Sequence, residues 1–264
     1  MGMEEAFENG QPTLKKILQR YQESKPGTAT KDFDFLVNRN PLLEKIFIGA
    51  DCAIAIFDAS KTNYPYISYK LEQLLGYEAQ AYLQEGLCFT LSKIHPDDVP
   101  GLLEILEKEM DYIAGLTPNQ RLDYRSSYDY RIRKINGTYI RVLQRNLILN
   151  LDEANQVLHL LVVLTDITHL KKDNTKILHI INKQESGFAY FYNLAEQRVT
   201  KDTFLSKREI EILKLLGKGY SSKEVADELF ISIHTVETHR RNMLEKTNIK
   251  DTSCLVHFAI LAGF

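Results

Sequence analysis

Apolar positions follow two different periods along this 264-residue chain, and the change falls near residue 204. Before it, CAIAIFDAS (52–60) predicts a short buried strand and YPYISY (64–69) a second, each bounded by turn formers. KLEQLLGY and EAQAYLQEG then predict short helices. HPDDVPGLLEILEKEMDYI predicts a longer helix, with Asp97 and Asp98 near its positive N-terminus. Tyr128, Tyr130 and Ile132 alternate with Asp129, Arg131 and Arg133, the period of a half-buried strand. Asn136-Gly137 marks a hairpin, because both residues tolerate the positive φ of a type I′ turn. TYIRVLQRNLILNL is the returning strand, and VLHLLVVLTDIT is apolar enough for the centre of a sheet.

Three flanking segments complete this half. Residues 12–24 put Leu14, Ile17, Leu18 and Tyr21 at helical spacing, Pro26 and Gly27 mark a connector at 25–30, and Pro41 opens a second helical pattern at 40–49. Between 171 and 203, KILHIIN and FAYFYNL are β-branched or aromatic runs separated by KQESG, which predicts a β-hairpin. A signalling helix through Ile177–Ile181 is the alternative, although no apolar heptad is sustained.

After residue 204 the period becomes helical. LSKREIEILKLLGKG carries Ile210, Leu213, Leu215 and Leu216, with Ser206 as an N-cap and Gly217 and Gly219 as stops. SKEVADELF has Val225, Ala226 and Leu229 as its stripe, Ser232 can cap IHTVETHRRNMLEKTN, and DTSCLVHFAILAGF forms a last apolar helix. Two short helices joined by a tight turn, the second polar on one face, make a helix-turn-helix. At about 100° per residue, Val236, Met243 and Leu244 point to the core, while His234, Glu237, Thr238 and Arg241 share the opposite face.

That face fits a major groove. Arg241 can donate two hydrogen bonds to guanine, Thr238 can touch a thymine methyl, and Glu237 can accept from cytosine but repels phosphates. Lys223, Thr235, His239, Arg240 and Lys246 are candidate phosphate contacts, which set register and affinity without reading sequence. A solvated polar face is the plainer alternative for any one of these residues, and the stem of Arg240 can lie over the core edge.

Composition qualifies this picture. Hydrophobic residues make up 44% and charged residues 26%, the usual mix for a core-forming soluble protein, and the net charge is −2. Residues 204–264 hold nine bases and eight acids, so a charge count alone would miss a nucleic-acid binder. Arg240, Arg241, Lys246 and Lys250 are nevertheless concentrated in one helix and its exit, which predicts modest non-specific affinity and a need for dimerisation.

Cys52, Cys88 and Cys254 have no disulfide or metal spacing, the first residues lack a signal-peptide core, and Leu158–Leu164 is far too short to span a bilayer. A cytoplasmic protein without a membrane partner is expected. No HExxH, Walker A, dinucleotide loop or G-x-S-x-G is present, His95 is expected to help cap the helix after it, and no enzyme is expected.

Two resemblances follow. LLGYEAQAYL, IHPDD, YDYRIRKINGTYIRVL and LVVLTDITHLK, in that order over about residues 45–170, resemble a PAS domain. The resemblance implies a five-stranded antiparallel sheet with flanking helices that senses small molecules or mediates dimerisation. LSKREIEILKLLGKGYSSKEVADELFISIHTVETHRRNMLEKTNI resembles the LuxR-type helix-turn-helix, which implies DNA binding. Many members of that family carry a basic residue where Glu237 stands, so the base preference stays open. The receiver domain common upstream of this type has no counterpart, so control by a phosphoreceiver is not implied.

Light-sensing PAS variants place a reactive cysteine in G-x-N-C-R-F-L-Q. Leu87 and Thr90 depart from that pattern around Cys88, for which a buried structural role is expected. No cofactor is evident, and the ligand of the PAS pocket is left unknown.

The expected architecture is α+β: a helical extension (1–44), a PAS-like sensory and dimerisation domain (45–170), a linker with a β-hairpin (171–203) and a four-helix LuxR-type domain (204–264). The expected function is sequence-specific regulation of transcription on double-stranded DNA as a homodimer, with RNA polymerase a further candidate partner. The first helix and the last (Leu255, Phe258, Ile260, Leu261) are candidate dimer surfaces, with a place in the core as the alternative for each. The alternative function is a ligand or light receptor whose C-terminal domain is a protein-interaction module.

Overall fold

The computed structural model describes residues 14–21, 52–170, 176–182, 188–193, 198–200, 205–247 and 249–262. The connector at 25–30 and the helical pattern at 40–49 lie outside them. Helix α1 covers residues 14–21. Strands β1 (Ala53–Asp58) and β2 (Asn63–Ile67) are followed by helices α2 (Tyr69–Leu75), α3 (Ala79–Lys93), α4 (Asp98–Ala114) and α5 (Pro118–Leu122). Strands β3 (Arg125–Arg133), β4 (Tyr139–Leu151) and β5 (Val157–Asp166) close the unit.

All five strands pair antiparallel in the order β2-β1-β5-β4-β3, with the apolar β5 at the centre as its sequence predicts. This is the PAS arrangement. Three more strands, β6 (Lys176–Asn182), β7 (Phe188–Asn193) and β8 (Arg198–Thr200), continue it from the β3 edge into one eight-stranded sheet. The segment after residue 171 therefore extends the sheet.

Because side chains alternate across a strand, β3 and β4 present two different faces. Ser126, Tyr128, Tyr130 and Ile132 stand opposite Asn146, Gln144, Val142 and Ile140 on the inner one. Helix α4 lays Leu102, Ile105, Leu106 and Glu109 along it, positions that recur at helical spacing. Helix α1 adds Leu14, Ile17 and Tyr21 to the same core, and Lys16–Glu107 and Arg20–Asp111 pairs tie it to α4. The apolar stripe of α1 is thus taken up within the chain, which favours its core role over a dimer surface.

The outer face departs from expectation. Asp129 alternates with the core-facing Tyr128 and Tyr130 as the period of a half-buried strand predicts, yet it is fully buried and paired with Arg141. The reason is tertiary. Leu143, opposite Asp129, belongs to a cluster with Ile167 and Leu170 of the sheet domain and Ile212, Val225, Val236 and Leu255 of the C-terminal helices. The Lys250 N–H donates to the Leu170 carbonyl at 3.1 Å across the same junction. A strand period shows which residues share a face and not what covers it.

The C-terminal helices are α6 (Lys207–Gly217), α7 (Ser222–Glu228), α8 (Ile233–Thr247) and α9 (Thr252–Ala262). Ser206 with Glu209 and Ser221 with Glu224 form reciprocal capping boxes that set where α6 and α7 begin. Leu255 of α9 is buried, Ile260 is 56% exposed, and the side chains of Phe258 and Leu261 lie outside the described set. Within α3, Gly86 takes φ 57° and lies so close to the β1–β2 turn that a Cβ would sit 2.3 Å from the Thr62 carbonyl oxygen. Only glycine allows that approach.

Candidate nucleic-acid interface

The turn between α7 and α8 is built from local chemistry. Ile231 N–H donates to the Ala226 carbonyl at 3.0 Å, and the Ser232 hydroxyl accepts from Thr235 N–H at 3.1 Å, capping α8 as expected. Between them Phe230 adopts φ 54° with its ring 95% exposed. Phe230 follows the Val225, Ala226 and Leu229 stripe and is not part of it. Nothing in the sequence marks a left-handed phenylalanine, because glycine or asparagine usually fills such positions.

Val236 and Met243 are buried beneath α8, together with Thr247, and Leu244 is half-buried. His234, Glu237 and Arg241 are exposed, and Thr238 is half-buried, its hydroxyl donating to the His234 carbonyl at 2.9 Å. The four residues singled out for base reading therefore share one face. Arg241 has no ion pair or hydrogen-bond partner among the described residues, so its planar fork is available.

The phosphate candidates divide. Lys223 is exposed at the start of α7. Arg240 bridges three helices: its guanidinium donates to Thr252 at 3.2 Å, to Glu237 at 2.7 Å and to Ser222. Lys246 donates to both carboxylate oxygens of buried Glu209, at 2.7 and 3.0 Å, and so ties α8 to the start of α6. Thr235 bonds to Ser232 through its hydroxyl, and His239 is half-buried with Nδ1 enclosed and unpartnered. Arg240 and Lys246 thus hold the domain together as well as carrying charge.

A second site lies within the sheet domain. A cavity of about 200 Å³, open on one side, is lined by α1, α3, α4 and the inner face of the sheet. Its polar wall is one hydrogen-bonded chain: Tyr130 to Gln144 at 2.7 Å, Gln144 to Tyr128 and Asn146 at 2.7 and 2.8 Å, Asn146 to Ser126 at 3.2 Å, and Ser126 to Glu109. Tyr124 closes the chain on the same Glu109 oxygen, Oε1, at 3.0 Å. Glu109 is 5% exposed. Burial pushes its carboxyl up to about 7 against the lowering effect of its Ser126 and Tyr124 hydrogen bonds. Sequence reading missed this residue, since a glutamate on a charged helix reads as solvated.

Other singled-out residues find plainer places. Asp98, read as a helix-start acid, is fully buried, and its carboxylate accepts from the Arg131 backbone N–H at 2.8 Å and from its guanidinium. His95 Nδ1 accepts from Asp97 N–H at 3.3 Å, a helix-start contact. Burial and the nearby Arg131 hold its imidazole below the usual value. Cys88 is exposed, which corrects the expected buried role. Leu87, Thr90 and Leu91 share the cavity-facing side of α3, and Cys88 falls off that side. Among the described residues no cluster of His, Cys, Asp or Glu is arranged to hold a metal ion, and no helix is long and apolar enough to cross a membrane.

A PAS-type sheet domain followed by a helix-turn-helix domain is the class these elements define. The C-terminal domain is of LuxR type: residues 203–259 match the model of the bacterial regulatory proteins of the luxR family. The chain is 49% identical over 63 residues to oxygen regulatory protein NreC of Staphylococcus carnosus, covering 23% of this chain and 29% of that protein. The corresponding protein of Staphylococcus aureus strain RF122 is 48% identical over 63 residues, with the same coverage. The chain thus spans about three-tenths of the length of these curated relatives.

Among solved structures, the phage VqmA–DPO complex matches 89% of this chain and 91% of its own at 15% identity and a TM-score of 0.33. The N-terminal domain of a diguanylate cyclase with a PAS/PAC sensor from Marinobacter aquaeolei matches 45% of this chain and 96% of its own, at 18% identity and a TM-score of 0.37. The fold assignment rests on the strand order and connections described above.

Proposed function

We propose that the chain is a sequence-specific transcription regulator in which the PAS-type domain receives a signal and the LuxR-type domain reads double-stranded DNA as a homodimer in the cytoplasm. The observation that carries this reading is Arg241: exposed and unpaired among the described residues, on the face of a capped α8 that also holds His234, Glu237 and Thr238. Base reading falls to these four, and phosphate contact to Lys223, Thr235, His239, Arg240 and Lys246. The cluster joining Leu143, Ile167 and Leu170 to the helical core supplies a physical route from the sheet to the reading head. A signal that shifts this junction would alter whether two α8 helices reach half-sites one DNA turn apart.

Binding of the full chain to duplex DNA across a salt series tests the reading. Measurable affinity at low salt that falls steeply with added salt is expected. Arg241→Ala should weaken specific binding about 5- to 150-fold, equivalent to about 1–3 kcal/mol, with helical content unchanged, and Lys223→Ala should lower the salt slope by about one. Affinity absent at low salt would sink it. The exposed Phe230 and Ile233 beside the turn favour a second reading, a protein contact at the same end of the domain, with RNA polymerase as the candidate partner. A domain that binds protein and never DNA would show no such salt series.

A further inference from the structure

The cavity in the sheet domain contains one feature that its hydrogen-bonded wall does not explain. Glu109 receives Ser126 and Tyr124 on the same oxygen, Oε1, while Oε2 has no partner among the described residues. A carboxyl group 95% removed from solvent is costly to ionise unless a cation or further donors meet it. Among the described residues Arg20 is the only cationic one lining the cavity, and it is paired with Asp111 at 2.7 Å.

The remaining walls are largely aromatic and aliphatic. Tyr21, Phe57, Tyr64, Tyr128 and Tyr130 all line the space, and aromatic faces attract cations as well as apolar groups. Among the described residues, the tyrosines on elements packed against Glu109 are Tyr21 of α1 and Tyr124 and Tyr128 of β3, beside Arg20, which is held by Asp111. Burial drives all three hydroxyls above their ordinary range, so each is neutral where Glu109 titrates.

We infer that this cavity binds a small organic amine, with the cationic nitrogen on Oε2 of Glu109 and an apolar or aromatic body against the tyrosine-lined wall. The inference rests on the sensory reading of the sheet domain and adds the chemical class of the signal. An acidic ligand would meet the Glu109 carboxyl, and the cation described in the wall, Arg20, is already held by Asp111. A neutral polar ligand would be served by Gln144, Asn146 and Tyr130 and would leave the carboxyl unmatched. Size sets the scale: benzene fills a cavity of about 150 Å³, so this one suits a ligand of roughly eight to ten non-hydrogen atoms.

Calorimetric titration of the full-length protein with phenethylamine, 2-phenylethanol and phenylacetate, three molecules of near-equal shape, tests the charge requirement. Phenethylamine should bind, and the alcohol and the acid should bind at least about 30-fold more weakly. Glu109→Gln should reduce amine affinity by a similar factor. The unsubstituted protein supplies an independent reading: near pH 6 the amine must displace a proton from Glu109, so its affinity should be about tenfold lower than at pH 8.

Equal binding of the acid or the alcohol, undiminished amine binding by Glu109→Gln, a flat pH profile, or no amine binding at millimolar concentration each overturns the inference. DNA affinity measured in parallel separates the two readings. Amine binding that leaves DNA affinity unchanged supports the ligand class and removes the sensory role. Intact salt-dependent DNA binding without any amine binding overturns the ligand class alone.

Discussion

Asp129 with Arg141 in the sheet and Glu237 with Arg240 on α8 are both carboxylate–guanidinium pairs, in opposite surroundings. In the first, the side chains are 0% and 3% exposed; in the second they are 50% and 27% exposed. The sheet domain carries ionisable groups inward, to Asp129 between the two domains and to Glu109 at the cavity. The helical domain buries Ile212, Val225, Val236 and Met243 and keeps most of its charges outside, Glu209 being the exception that Lys246 meets. A buried charge is costly and must be matched, so it marks where a domain is specified or where it awaits a partner. A displayed charge contributes little to the fold and is available to something else.

Stability measurements should widen this contrast. Arg141→Ala leaves the Asp129 carboxylate buried without its guanidinium, and denaturant melts followed by circular dichroism should show a loss of about 3–5 kcal/mol. A loss below about 1 kcal/mol would mean that water reaches the pair and the junction between domains is open.

Glu109 gives the next largest effect, and it depends on pH. Its folded value near 7 stands above the 4.5 of an ordinary glutamate, so its contribution is fully present below pH 4.5 and is lost as pH rises through 7. The stability of Glu109→Gln relative to the parent should therefore rise by about 3 kcal/mol between pH 4.5 and pH 8. Melts at the two pH values check it, and a constant difference would place Glu109 in water.

Glu237→Ala should be the smallest change. Arg240 keeps Ser222 and Thr252, so a stability shift within about 0.5 kcal/mol is expected in the same melts. A larger cost would make the α8 surface part of the fold rather than a surface for reading.

Much of the fold was legible because its signals are local. A hairpin does turn at Asn136-Gly137 between β3 and β4, but the type I′ expectation is corrected: only Gly137 takes positive φ, 86°. Its N–H donates to the Lys134 carbonyl at 2.9 Å, so Ile135 and Asn136 form the turn and Gly137 follows it in the left-handed region. Ser206 caps α6 as the pattern indicated, and Ser221, one residue before the Ser222 start that was read, caps α7. The four reading residues of α8 share a face because helical geometry alone puts positions 234, 237, 238 and 241 together. The partners of Arg240 and Lys246 were not legible, since Thr252 and Glu209 lie 12 and 37 residues away and no short-range rule joins them. Phe230 was missed for a related reason: a turn can impose φ 54° on a residue that would not choose it.

The sequence by itself therefore determined most of the elements, their order and the residues on the outer face of α8, all consequences of period and capping over a few residues, and left the short α5 and β8 unread. The tertiary structure decided what covers each face. It docked α1 on the sheet domain, placed the helical domain over Asp129, turned Cys88 outward and enclosed Glu109. Burial is the physical reason for the division: it depends on residues far apart in the chain, and it changes the chemistry of a carboxyl group without changing its letter.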